Sequence, residues 1–220
     1  MSKLRSAALL MVLCLTLAAA DSFAISRTSR SLNYLQVFGS YNSPVGEVEF
    51  FNLPDYNGNF DADDVYESGG SFGIGLGQVR AGRMHWGLDF RYTKHELQDV
   101  VENNDVVVTG IEGLGISSYD LDLSINYYLS DMAQIGFSPF VGLGVTAGIM
   151  SAGYDNDDFD NETEMKALAG LNFGFDLRLA QNADGSQISL VSLNRYDVMA
   201  SDERPRYLNL GLALRYYVRP

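Results

Sequence analysis

The chain has only two imidazoles, His85 and His95. Acyl-transfer chemistry would need one of them as a base beside a serine hydroxyl, and His95 with Ser117 or Ser118 is the pairing the sequence offers. Cysteine chemistry has little room. The single cysteine, Cys14, lies in an apolar N-terminal run, so the rest of the chain has no thiol for a nucleophile, a disulfide or a thiolate zinc site. Two acidic stretches, "NGNFDADD" (57–64) and "DNDDFDNE" (155–162), put oxygens at alternate positions as calcium loops do. Neither has the glycine and glutamate spacing of an EF-hand, which leaves loose association with divalent cations as the expectation and no dedicated metal site. The remaining set is Asp89, Arg91, Asp120, Asp122, Lys166, Asp176, Arg178 and Arg215. Acids and bases balance in this set, which points to ion pairing and away from catalysis.

These charges sit in stretches that alternate. In "YDLDLSINYY" (119–128), Tyr119, Leu121, Leu123, Ile125 and Tyr127 fall on one side of an extended chain, and Asp120, Asp122, Ser124 and Asn126 on the other. Eight stretches read this way: 32–42, 69–81, 84–95, 113–129, 135–151, 164–180, 186–197 and 207–218. Several exceed the usual strand length of soluble sheets, about five or six residues. Short turns at 80–83, 130–134 and 181–187 alternate with longer connections centred on 43–68, 96–112, 152–163 and 198–206.

Charge follows the same division. The first three long connections hold 17 acids, whereas Arg27, Arg30, Arg80, Arg83 and Arg219 lie at the opposite end. An even number of long alternating strands, with short turns at one rim and long loops at the other, predicts an all-β fold: an eight-stranded antiparallel transmembrane up-and-down β-barrel. A closed barrel is the β-solution that satisfies every backbone group inside lipid.

A soluble barrel with its aliphatic face inside is the competing reading. The polar faces of the strands are rich in glycine and small residues, which suits the cramped interior of an eight-stranded barrel. The leucines are therefore expected to face lipid and the charges to pair in the lumen as a plug, leaving no open pore. Strand 186–197, "QISLVSLNRYD", alternates too poorly for its faces to be assigned.

The N-terminus fits export. Lys3 and Arg5 precede the apolar run Ala7 to Ala20, and "SFA" (22–24) has small residues at the positions a signal peptidase reads, so 1–24 is expected to be a signal peptide and 25–220 the barrel domain. Cleavage after Ala20 is the alternative. Removing Lys3, Arg5 and Asp21 leaves 13 basic and 27 acidic side chains, a net charge of −14. That charge argues against nucleic acid or an anionic lipid surface as a partner.

Two segments carry a family resemblance. "SPFVGLGVTAG" (138–148) resembles a strand common in small outer-membrane barrels of the OmpA/OmpX-like superfamily. "NLGLALRYYV" (209–218) resembles the C-terminal assembly signal of such proteins, with Asn209, Gly211, Leu214 and Tyr216 at the polar, glycine, hydrophobic and aromatic positions. The chain continues past Tyr216 with "YVRP", where members of that group commonly end on an aromatic residue.

The resemblance implies a bacterial outer-membrane location, outer-membrane lipids and lipopolysaccharide as surroundings, and the outer-membrane insertion machinery as the reader of 209–218. A monomer without cofactor is expected. Some barrels of this size modify lipid A, but their motifs do not match. Neither histidine is followed two residues later by serine, and the sole Asp-Ser pair is Asp21-Ser22 in the leader. The expectation is a non-enzymatic barrel with long acidic extracellular loops, serving envelope integrity or surface interaction and adhesion. A lipid A-modifying enzyme and a narrow ion channel are the alternatives.

Overall fold

The computed structural model describes residues 31–45, 47–49, 59–61, 67–80, 83–96, 100–102, 105–108, 114–130, 136–154, 162–199 and 206–219. The expected leader, 1–24, lies outside them, as does most of each acidic stretch. Twelve strands follow in chain order: β1 (Ser31–Val45), β2 (Glu47–Glu49), β3 (Asn59–Asp61), β4 (Gly69–Arg80), β5 (Met84–Glu96), β6 (Val100–Glu102), β7 (Asp105–Val108), β8 (Leu114–Tyr128), β9 (Phe137–Tyr154), β10 (Glu162–Gln181), β11 (Gln187–Met199) and β12 (Arg206–Val218).

Eight of them close into a barrel in the order β1-β12-β11-β10-β9-β8-β5-β4, every pair antiparallel, with β1 completing the ring between β12 and β4. The eight expected strands are these eight. β1, β9 and β10 run two or three residues further toward the long-loop rim than the alternation alone indicates. Two short hairpins not expected from the sequence, β2 with β3 and β6 with β7, lie within the first two long connections.

The strand faces divide by chemistry. Outward side chains are apolar and open: Phe72 is 66 % exposed, Leu143 63 % and Leu212 57 %. Leu35, Val37, Ile74, Leu121 and Leu210 continue the same belt around the wall. A soluble monomer rarely shows contiguous apolar surface beyond a few hundred Å², so this belt is built for a non-aqueous surround.

Inward positions are polar, charged or small. The glycines of β4 have a packing role, since a side chain at Gly73, Gly75 or Gly77 would run into Phe38, Asp89 or Tyr34. One glycine-lined wall thus makes room for the large side chains of β1 and β5, as an eight-stranded barrel with a filled interior requires.

The strand whose faces were unassigned now has them. Gln187, Ser189, Val191, Arg195 and Asp197 of β11 are buried inside, while Ile188 is exposed outside. The alternation was obscured because Val191 points into the lumen and packs in a small apolar cluster with Tyr128, Phe140 and Tyr217, while polar Ser192 and Asn194 take outward positions opposite Leu212 and Leu210.

Short turns close one rim. Arg83 N–H donates to the Arg80 carbonyl (3.1 Å) in the β4–β5 turn. The β10–β11 turn uses Gly185 at φ 84°, a left-handed conformation that favours glycine, with Gly185 N–H donating to the Asn182 carbonyl (3.0 Å). In that turn Asp184 accepts hydrogen bonds from the Ser186 amide (2.9 Å) and hydroxyl (2.7 Å), which hold its carboxyl below the usual range.

Candidate functional site

The chemistry of the molecule is concentrated in the lumen, where polar groups form two layers. The layer nearer the short-turn rim is built on Arg215 of β12, which is 1 % exposed. Its Nε and Nη2 both donate to Gln36 Oε1 (2.9 and 2.6 Å), and Nη1 donates to the Tyr128 and Tyr217 hydroxyls (2.9 and 3.1 Å). Its guanidinium carbon lies 4.2 Å from the centre of the Tyr34 ring, a cation–π contact. Its ionic partner is Asp176 Oδ2 at 3.7 Å, and the Tyr217 hydroxyl donates to the same oxygen (2.5 Å).

His85 packs beside this cage. Its Nε2 pairs with the Tyr34 hydroxyl (2.7 Å) and its Nδ1 with Asn126 Nδ2 (2.9 Å). Asn172 Nδ2 donates in turn to Asn126 Oδ1 (3.2 Å).

The second layer, toward the long loops, is ionic. Arg91 Nη2 stands 3.5 Å from Asp120 Oδ2 and 3.3 Å from Asp122 Oδ2. Arg195 Nη1 reaches Asp122 Oδ1 at 3.1 Å, and Arg195 Nε reaches Asp197 Oδ1 at 2.9 Å. Ser118 donates to Asp120 Oδ2 (3.2 Å), and the Thr146 hydroxyl donates to Asp122. Gln36 ties the layers together: its amide nitrogen donates to Asp89 Oδ1 (2.6 Å) while its oxygen accepts from Arg215. Every ion in these layers has an opposite charge or a hydrogen-bonding partner within reach, while Arg91 Nε and Arg195 Nη2 are buried without a hydrogen-bond acceptor.

Of the eight charges singled out in the sequence, Asp89, Arg91, Asp120, Asp122, Asp176 and Arg215 lie together in this network. Arg178 does not. It sits at the short-turn mouth, where Nη1 donates to Gln181 Oε1 (2.6 Å) in an exposed contact. The cause is local: the β10–β11 register shifts between Arg178 and Ala180, and the long side chain ends at the rim. The Lys166 side chain lies outside what the structure describes.

Alternation missed Arg195 and Asp197, because β11 could not be assigned a face. It also passed over Gln36, Tyr34, Tyr128 and Tyr217, which are uncharged and gain their roles only through Arg215 and Asp89. Among the assembly-signal residues, Asn209 and Gly211 face inward on β12, and Leu214 and Tyr216 face outward.

The histidine chemistry can be placed as well. His95 is buried at the long-loop rim, with Nδ1 3.3 Å from the Glu67 carbonyl and its ring stacked on Tyr207 at 4.6 Å. It borders a cleft of about 580 Å³ lined also by Gly70, Phe72, Tyr92 and Lys94. Its register partner on β8 is Ile116; Ser117 lies opposite Lys94 and Ser118 opposite Thr93. Both ring nitrogens of His85 are engaged by Tyr34 and Asn126. Among the described residues no group of three or more His, Cys, Asp or Glu side chains is arranged to hold a metal ion.

No protein-family model matches the chain, and no curated protein matches it. Solved structures do. Neisserial surface protein A is similar at 12 % identity and a TM-score of 0.48, covering 88 % of this chain and all of that one. The N-terminal β-barrel domain of Pseudomonas aeruginosa OprF is similar at 10 % identity and a TM-score of 0.46, covering 87 % of this chain and all of that one. Ail, the attachment invasion locus protein of Yersinia pestis, solved with the heparin analogue sucrose octasulfate, is similar at 11 % identity and a TM-score of 0.45, covering 86 % of this chain and 97 % of that one.

Proposed function

We propose that this closed eight-stranded barrel is a non-enzymatic integral protein of the bacterial outer membrane, with a side-chain-filled lumen and acidic loops outside the cell. Its role is envelope integrity or surface interaction and adhesion. One observation carries the reading: an apolar belt outside, interrupted on β11 by Ser192 and Asn194, is matched by a network of ion pairs inside. That is the reverse of a soluble barrel and the pattern a bilayer selects. Outer-membrane lipids and lipopolysaccharide then surround the belt. The insertion machinery reads Asn209, Gly211, Leu214 and Tyr216 before β12 pairs with β1, and divalent cations gather loosely at the acidic loops.

The lumen chemistry supports closure over catalysis. The hydroxyl of Ser118 is committed to Asp120, and His85 is enclosed by Tyr34, Tyr128 and Asn126. Two measurements test the reading on the full chain. Membrane-fraction protein should show heat-modifiable gel migration, and planar bilayers containing it should stay electrically silent. Unshifted migration would remove the membrane barrel, and discrete conductance steps would remove the plug. A changed lipid A acyl pattern on deleting the gene, read by mass spectrometry, would overturn the non-enzymatic assignment.

A further inference from the structure

We infer that the outward face of β11 is a self-association surface, on which a second copy of this chain docks within the membrane through paired Asn194 amides. The inference rests on the membrane reading above, adds a partner to it, and departs from the monomer expected from the sequence.

Parity and register put Ser192 and Asn194 on the outside. Ser192 lies between Phe175 of β10 and Leu212 of β12, and Asn194 between Phe173 and Leu210. Leu212 is the midpoint of the outward series Leu208, Leu210, Leu212, Leu214 and Tyr216. The polar pair therefore sits at hydrocarbon depth, away from either headgroup boundary. Asn194 Nδ2 donates to Ser192 Oγ (3.0 Å), and neither side chain has another hydrogen bond among the described residues.

An asparagine amide carries two N–H donors and an accepting carbonyl, and a serine hydroxyl adds an O–H. The internal bond uses one donor of Asn194. It leaves the second N–H, Oδ1 and the Ser192 O–H turned toward acyl chains, which have nothing to pair with them. The wall is also shaped for contact. Along β11 the outward Leu190, Ser192, Asn194 and Tyr196 are all recessed, Ser192 to 9 % exposure, while Leu171, Phe173, Leu210 and Leu212 on either side stand out. A furrow with a polar floor thus runs between two apolar ridges.

The occupant must present both a donor and an acceptor at this depth, where membrane proteins carry few polar groups on their surfaces. A second copy inserted in the same orientation meets that condition by symmetry. A two-fold axis along the membrane normal holds both Asn194 residues at one height. The amide is self-complementary, so Nδ2 of each donates to Oδ1 of the other. The Leu210 and Leu212 ridge of each copy then seats in the furrow of its partner. The feature is confined to this wall: the outward residues in mid-strand on β1, β4, β5, β8 and β9 are apolar, as at Val37, Ile74, Phe90, Leu121 and Leu143.

The test uses full-length protein labelled in separate batches with donor or acceptor dye, co-refolded in phosphatidylcholine vesicles and followed by energy transfer as lipid is added. Wild type should show transfer above random co-occupancy, lost as dilution separates the pair. Asn194→Leu should weaken association about tenfold, two reciprocal hydrogen bonds at roughly threefold each. Asn194→Gln keeps the amide and should stay within about threefold of wild type. Phe90→Leu, on the opposite wall, should leave association unchanged. Wild-type transfer no greater than random, or undiminished association of Asn194→Leu, overturns the surface. So does native mass spectrometry of gently extracted protein that shows one chain holding a lipid which Asn194→Leu loses, since that gives the furrow to a lipid. Protein that fails to shift on heating refutes the membrane reading and the surface with it, whereas shifting protein that stays monomeric refutes the surface alone.

Discussion

The sharpest consequence of the lumen geometry concerns Arg215→Met. Arg215 makes four hydrogen bonds, to Gln36 twice and to Tyr128 and Tyr217, and it is the ionic partner of Asp176. Removing the guanidinium leaves Asp176, 2 % exposed, with the Tyr217 hydroxyl as its named donor. Breaking a buried pair from one side costs about 3–5 kcal/mol. Charge-assisted hydrogen bonds contribute about 1.5–3 kcal/mol each, but these share one donor group and do not add. The expected loss is therefore about 5 kcal/mol.

Asp176→Asn combined with Arg215→Met removes both charges together. The double variant should recover part of the loss, with a coupling of about 2 kcal/mol or more. The assay is urea unfolding of vesicle-refolded protein, followed through Trp86, the only tryptophan, and checked by gel migration. A single variant within about 1 kcal/mol of wild type would refute the reasoning. So would a double variant as damaged as the sum of the two singles.

Three other outcomes are expected. Leu212→Arg, in the middle of the outward face of β12, should cost about 2–4 kcal/mol of stability in vesicles, as a cation at the bilayer midplane does, and little in a detergent that lets the side chain reach water. Arg195→Ala empties space beside Gly144 and Gly170 and leaves Asp122 and Asp197 with one cation fewer; planar bilayers should then show cation-selective steps, whereas Arg178→Ala at the mouth should remain silent. Asp184, held below the usual carboxylate range by Ser186, stabilises the folded turn once pH exceeds the unfolded carboxyl's value, and that contribution is lost as pH falls through the lowered folded value; wild type should therefore unfold later than Asp184→Asn at neutral pH, with the two converging in strong acid.

How much of this molecule was legible in its sequence depends on the range of the interaction. The barrel strands were readable because binary alternation is local. Leu121 beside Asp122 and Leu210 beside Gly211 report the two faces within a few residues, and a lipid-facing wall leaves few exceptions. β11 shows where that signal fails. Val191 turns inward to fill the space beside Tyr128 and Phe140, so an apolar residue occupies the face that elsewhere carries charge. With that face ambiguous, Arg195 and Asp197 could not be counted.

The pairings themselves were out of reach for a different reason. Arg215 meets Gln36 across 179 residues and Arg195 meets Asp122 across 73, distances that only strand register and closure convert into contact. Charge balance on the inward faces could say that partners must exist. It could not say that a neutral glutamine would link the two layers, or that three tyrosines would surround Arg215. Arg178 marks the same limit from the other side, because parity alone places it inside. The register shift near the end of β10 and the reach of a long side chain carry its guanidinium to the rim. For a barrel of this size, inward parity is therefore sufficient to place a charge in the middle of a strand. Within a turn of the rim it is not, and there the side chain's access to water decides.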